Sequence, residues 1–123
     1  MKKVLIIDDD GFLLDMYSVK LREMGLDVEI AFSASEALEK IRAGISPDVV
    51  LLDIIMPGMD GFEFLENVKK EKLLKNSKIL ILSNLGQEED IKKGLALGVS
   101  DYIIKAYFTP SEIVKKIEKL LNV

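Results

Sequence analysis

A chain of 123 residues, 49% of them apolar and 31% charged, has the make-up of one globular domain that buries most of the surface it exposes when unfolded. Its formal charge of −4, with Lys and Glu intermixed, excludes a general nucleic-acid binder, and no apolar run approaches the ~18 residues that cross a membrane. The absence of both Cys and His removes disulfides, thiolate and imidazole metal sites and His-based acid–base chemistry, which leaves carboxylates, hydroxyls, Lys and Tyr, with oxygen ligands for a hard cation.

Met1-Lys2-Lys3 is followed by too few apolar residues for a signal peptide, so a cytoplasmic location is expected. Val4-Leu5-Ile6-Ile7 is a continuous apolar run, a buried strand that ends in the carboxylate loop Asp8-Asp9-Asp10-Gly11. Leu14, Tyr17, Leu21 and Met24 then form a helical stripe that stops at Gly25. Val28, Ile30 and Phe32 alternate with Glu29 and Ala31, the pattern of a half-exposed strand at a sheet edge. Ser33 and Glu36 predict a capping box, and Ala34, Ala37, Leu38 and Ile41 supply the inner face of its helix. Ser46-Pro47-Asp48 turns the chain into Val49-Val50-Leu51-Leu52, a strand buried on both faces that delivers Asp53 to its carboxyl end.

A turn through Pro57 and Gly58 leads to Asp60 and Glu63, a second predicted capping box, and to a helix with Gly61, Phe64, Leu65 and Val68 inward. Lys69 to Lys78 is a polar connector anchored by Leu73 and Leu74. Ile79-Leu80-Ile81-Leu82 ends at Ser83-Asn84, and a helix follows from Gln87 to Leu97, with Glu88, Glu89 and Asp90 favourably placed in its first turn. Gly98 stops it. Asp101-Tyr102-Ile103-Ile104 is the fifth strand, ending at Lys105, and Thr109-Pro110-Ser111-Glu112 starts a last helix whose inner face carries Ile113, Ile117, Leu120 and Leu121.

Five alternations of strand and helix imply an α/β fold with a single doubly wound, flavodoxin-like parallel sheet, one domain spanning residues 1–123. Central first, third and fourth strands and an edge second strand fit the order 2-1-3-4-5, with the topological switch between strands one and three. Ligands of such sheets bind at the switch, and that crevice lies between Asp8/Asp9 and Asp53. Two carboxylates ~4 Å apart repel by roughly 4 kcal/mol at an effective dielectric of ~20, so the cluster needs a proton, a lysine or a divalent cation. Mg²⁺ prefers a couple of carboxylates with water and phosphate oxygens, and a carboxylate nucleophile beside it, with a hydroxyl and a lysine, is a layout for phosphoryl transfer to aspartate.

Asp8-Asp9, Asp53 through Met56-Pro57-Gly58-Met59-Asp60-Gly61, Ser83, and Asp101 through Lys105 resemble the receiver domain of two-component response regulators across essentially the whole chain. The resemblance implies that Asp53 is the phosphoacceptor, Asp9 the direct Mg²⁺ ligand, Asp8 a ligand acting mostly through water and Ile55 a carbonyl ligand. It implies that Ser83 hydrogen-bonds the phosphoryl group, Lys105 pairs with it, and Tyr102 is an aromatic switch that turns inward with Ser83. Partners would be a histidine kinase or phosphotransfer protein upstream and a protein target downstream, received on the fourth helix, fifth strand and fifth helix. Neither direct nucleic-acid contact nor membrane insertion is expected, and the chain ends at Val123, which suggests a stand-alone receiver.

Departures from the family pattern carry their own expectations. Ala106 stands where the family usually has proline, often with a cis peptide; a non-proline cis bond costs ~3 kcal/mol, which weighs toward trans but leaves the isomer of Lys105-Ala106 open. The loop from Ala106 to Thr109 is a residue longer than usual, and Asn84 stands where a small residue is common and would narrow the entrance. Ile55 and Leu85 are apolar where some relatives carry side chains that orient an attacking water, which predicts slow self-dephosphorylation. Simpler roles also fit single residues: Lys105 as a surface lysine, Ser83 as a helix-entry cap, Tyr102 as core, and Asp10 and Asp60 as caps. Two rival functions remain, a haloacid-dehalogenase-like phosphatase using Asp8 as nucleophile and Asp10 as acid, and a phosphorylation-independent adaptor of the same fold.

Overall fold

Every strand is short and apolar, and every helix between them carries one apolar stripe, so the only way to bury both is to sandwich a sheet between helices. The structure, a computed structural model, describes residues 2–122. Met1 and Val123, on which the expectations about a leader and a chain end rest, lie outside them. The chain runs β1 (Lys3–Ile7), α1 (Gly11–Glu23), β2 (Asp27–Ala31), α2 (Ala34–Arg42), β3 (Val49–Leu52), α3 (Gly61–Lys70), β4 (Lys78–Ser83), α4 (Glu88–Ala96), β5 (Asp101–Ile104), a 3₁₀ turn (Lys105–Tyr107) and α5 (Pro110–Leu121). The five strands are parallel, in the order β2-β1-β3-β4-β5. The sequence-based fold class and strand order hold.

Two separate cores flank the sheet. On one face Leu5, Ile7, Val50, Leu52 and Ile81 meet α2 and α3 through Leu38, Ile41, Phe64 and Leu65. On the other, Val4, Ile6, Leu51 and Leu80 meet α1 and α5 through Leu14, Leu21, Ile113 and Ile117. Each fully buried Leu, Ile or Phe adds roughly 1.5–3 kcal/mol, so the continuous apolar runs of β1, β3 and β4 secure the sheet's centre. Among the described residues no helix is long and apolar enough to cross a membrane.

The helix starts follow the sequence, with two differences. Asp10 caps α1 by accepting from Phe12 N and Leu13 N, and Thr109 and Glu112 form the full reciprocal box at α5. The backbone and side-chain bonds to Thr109 hold the Glu112 carboxyl below the usual carboxylate range. At α2, Ser33 accepts from Glu36 N, but the Glu36 carboxylate accepts from Phe32 N, one residue earlier than a capping box requires. At α3, Asp60 accepts from Glu63 N, and no answering bond from Glu63 is present among the described residues.

The edge strand is also shorter than expected. Ala31 pairs with Ile7, the last residue of β1, so Phe32 has no strand to pair with; it lies outside β2, 50% exposed, and the buried residues are Val28 and Ala31. Leu120 is only half-buried, and Val114, unforeseen, takes a core position instead. No cis peptide bond occurs among the described residues, so Lys105-Ala106, whose isomer the sequence left open, is trans. The 3₁₀ turn over Lys105–Tyr107 was not foreseen.

Candidate functional site

Strand register alone brings the acidic residues together. Ile7 pairs with Leu52, so the next residues, Asp8 and Asp53, leave the sheet side by side, and Asp53 N still donates to Ile7 O at 3.0 Å. On the other flank Ser83 pairs with Ile104, which puts Lys105 at the same carboxyl edge. The close start of α3 completes the wall, because a Cβ on Gly61 would lie 2.5 Å from Asp53 O, a distance only glycine allows.

Within the site, Asp8 and Asp53 are held alike. Asp8 Oδ1 accepts from Asp10 N at 3.0 Å, and Asp53 Oδ1 accepts from Ile54 N at 2.7 Å. Their remaining oxygens, both Oδ2, share the Lys105 ammonium, at 2.7 Å from Asp8 and 3.2 Å from Asp53. Each carboxylate thus has one oxygen fixed by backbone and one turned to a cation. Burial pushes the Asp8 carboxyl above the usual carboxylate range, more than its bonds to Lys105 and Asp10 pull it down. Burial also works against the Lys105 ammonium, yet the hydrogen bond it donates to Asp8 and the charge of Asp53 outweigh it and lift Lys105 above the usual lysine range.

Asp8, Asp9 and Asp53 each offer an oxygen within 4.8 Å of the others. Asp8 and Asp53 are buried while Asp9 is exposed, so the cluster opens to solvent on one side. All-oxygen donors, a short mutual distance and room for water fit the coordination that Mg²⁺ demands. Ile55, two residues beyond Asp53, is 59% exposed.

The other expected site residues lie around this cluster. Ser83 is fully buried at the end of β4, and its hydroxyl accepts from Leu85 N at 3.3 Å within the loop; it is not the helix-entry cap of its simpler reading, because Gln87 holds that place at α4. Tyr102 is buried and donates its hydroxyl to Leu85 O, so it belongs to the core and to the β4–α4 loop at once. Burial, with the charges of Asp90 and Asp53, pushes its pKa up to about 12. Lys105 is no surface lysine, with its side chain only 13% exposed. Asp10 spends its carboxylate on the α1 cap, which leaves it poorly placed as the acid of a phosphatase using Asp8.

Sequence reasoning missed two neighbours. Tyr17 was assigned to the helix stripe; it is buried, and alongside burial it feels the charges of Lys105, Asp8 and Asp10. Asn84 was expected to narrow the entrance; its Oδ1 also accepts from Ala106 N at 3.0 Å, a bond that was not foreseen. Helical spacing gave no sign of the first, and a partner 22 residues away gave none of the second.

Comparison with known proteins agrees with this geometry. Residues 4–118 match the model of the response regulator receiver domain. Among curated proteins, the alkaline phosphatase synthesis transcriptional regulatory protein PhoP of Bacillus subtilis is 33% identical over 98% of this chain and 49% of its own length. The phosphate regulon transcriptional regulatory protein PhoB of Escherichia coli is 29% identical over 98% of this chain and 52% of its own. The chain therefore spans about half the length of these relatives. Among solved structures, the chemotaxis protein CheY4 of Vibrio cholerae superposes with a TM-score of 0.87 at 33% identity, covering 98% of both chains. A CheY-like receiver domain protein from Methanospirillum hungatei superposes with a TM-score of 0.88 at 34% identity, covering 99% of this chain and 95% of that one.

Proposed function

The chain belongs to the response regulator receiver domain family, and from that membership we propose that it accepts a phosphoryl group on Asp53 from the phosphohistidine of a kinase or phosphotransfer protein. In that step an Asp53 carboxylate oxygen attacks phosphorus, the new P–O bond forms as the P–N bond breaks, and the departing imidazole keeps its electron pair and takes up a proton. The observation that carries the reading is three carboxylates within 4.8 Å of one another, two of them bridged by the buried Lys105 ammonium.

Each residue has a task in this reading. Asp53 is pre-oriented by Ile54 N, which leaves Oδ2 facing the incoming group. Lys105 moves from bridging two carboxylates to pairing with the phosphoryl oxygens, and Ser83 gives up its bond from Leu85 N to donate to them. Asp9 directly, Asp8 mostly through water, Asp53 and the Ile55 carbonyl would hold Mg²⁺. Bound there, the ion supplies positive charge that screens the entering phosphoryl oxygens from the carboxylates. A shift of Ser83 loosens Leu85, whose carbonyl receives the Tyr102 hydroxyl, and so reaches the α4–β5–α5 face where a protein target binds. We place the activity in the cytoplasm. Autocatalysed dephosphorylation is the only other reaction proposed.

Asp53→Asn tests the assignment. Mg²⁺-dependent labelling by a small phosphodonor such as acetyl phosphate is lost in the variant, and retained labelling would refute the site. A second reading concerns scope. Because the chain spans about half of relatives that are transcriptional regulatory proteins, the second reading is that this receiver is the input half of a longer transcriptional regulator. The mass of the native polypeptide separates this from a stand-alone receiver.

A further inference from the structure

Asn84 is the polar side chain beside the site to which the proposed function gives no task. It lies between Ser83, the last residue of β4, and Leu85, and its Oδ1 accepts from Ala106 N at 3.0 Å. Ala106 belongs to the 3₁₀ turn that begins at Lys105, and the first N–H groups of such a turn have no partner inside it. Asn84 therefore caps, from another strand's loop, the turn that carries the lysine. The donor at Ala106 also settles which way the Asn84 amide faces. Only a residue with a backbone N–H at position 106 allows this bond, and alanine has one where proline would not.

We propose that Asn84 is a positioning residue: its side-chain carbonyl fixes the turn bearing Lys105 and ties the reach of that ammonium to the loop containing Ser83. The proposal rests on the reading that Lys105 pairs with the phosphoryl group. The same loop is fastened a second time, to β5, by the Tyr102 hydroxyl on Leu85 O, so the two bonds hold the chain on either side of Ile104. The Lys105 ammonium bridges two oxygens at 2.7 and 3.2 Å. Moving its backbone by ~1 Å would spoil one of those contacts, and misplacements of that size are costly in phosphoryl-transfer sites.

The test compares Asn84→Leu, which keeps bulk and loses the acceptor, with Asn84→Asp, which keeps an acceptor in the same place. Amide exchange at Ala106, Mg²⁺ affinity and affinity for beryllofluoride in saturating Mg²⁺ are measured on each. In Asn84→Leu the Ala106 amide loses protection and beryllofluoride binds about threefold to tenfold more weakly, the loss of one hydrogen bond, while Mg²⁺ affinity stays within about twofold. Asn84→Asp restores both protection and beryllofluoride affinity. Unchanged beryllofluoride binding in Asn84→Leu overturns the proposal, as does a parallel fall in Mg²⁺ affinity, which would mark Asn84 as a purely structural staple. Failure of the unaltered chain to bind beryllofluoride overturns the phospho-acceptor reading itself, and this one with it.

Discussion

Tyr102 ties a titration to a position. In the fold its phenol is protonated up to about 12, because burial and the Asp90 and Asp53 charges disfavour the phenolate. An acid whose folded pKa is raised lends stability that is complete below its ordinary range, about 10 for tyrosine, and is lost as pH climbs through the folded value. A phenolate absorbance titration should therefore show a last step near 12 that is missing from Tyr102→Phe; if the step persists, the hydroxyl is not where it is described. Ile55 makes a second residue-scale prediction. Two residues beyond Asp53, its exposed, apolar side chain cannot orient an attacking water, so the Asp53 acyl phosphate should outlast seconds and decay faster in Ile55→Asn. Equal decay rates would remove Ile55 from that role. Asp8, Asp9, Asp53, Ser83 and Lys105 could be picked out from the sequence because each follows an apolar strand whose end is unmistakable. Asn84 could not, since its partner is set by where two loops meet in space.

At the scale of elements, sequence reading succeeded where one signal dominated. Continuous apolar runs marked β1, β3 and β4, and the box at Thr109 marked α5. It overran at β2, where alternation continued through Phe32 but the neighbouring strand had already ended at Ile7. The junction from β3 to α3 depends on Gly61. A methyl group there would meet Asp53 O at 2.5 Å and Ile54 Cα at 2.8 Å, both backbone atoms that cannot swing aside. Gly61→Ala should cost about 2–4 kcal/mol in denaturant unfolding, at the upper end for overpacking, and should weaken Mg²⁺ binding by displacing Asp53. A variant of unchanged stability and affinity would mean that α3 can back away from the strand.

For the molecule as a whole, Lys105 joins β5 to β1 and β3 across the open end of the sheet. Lys105→Met leaves two largely buried carboxylates facing each other without a cation. Removing one partner of a buried pair costs about 3–5 kcal/mol, less where protonation relieves it, so a loss of about 2–3 kcal/mol is expected in chelator at neutral pH. Added Mg²⁺ should recover much of it, because a ligand that binds only the folded chain stabilises it by mass action. An equal loss with and without Mg²⁺, read from urea midpoints, would show that lysine and metal do not serve the same charges.

Of the five α-helices, α4 alone has a glycine as its only buried residue. Gly94 rests directly against Ile81 and Tyr102, and the half-buried Ile91 and the C-cap residue Leu97 pack against the same core beside it. A plate laid on a table slides where a peg in a hole does not: tilting this helix strips away little apolar contact. Its angle is thus expected to be held less firmly than those of the helices that bury larger side chains, and Tyr102 lies directly beneath it.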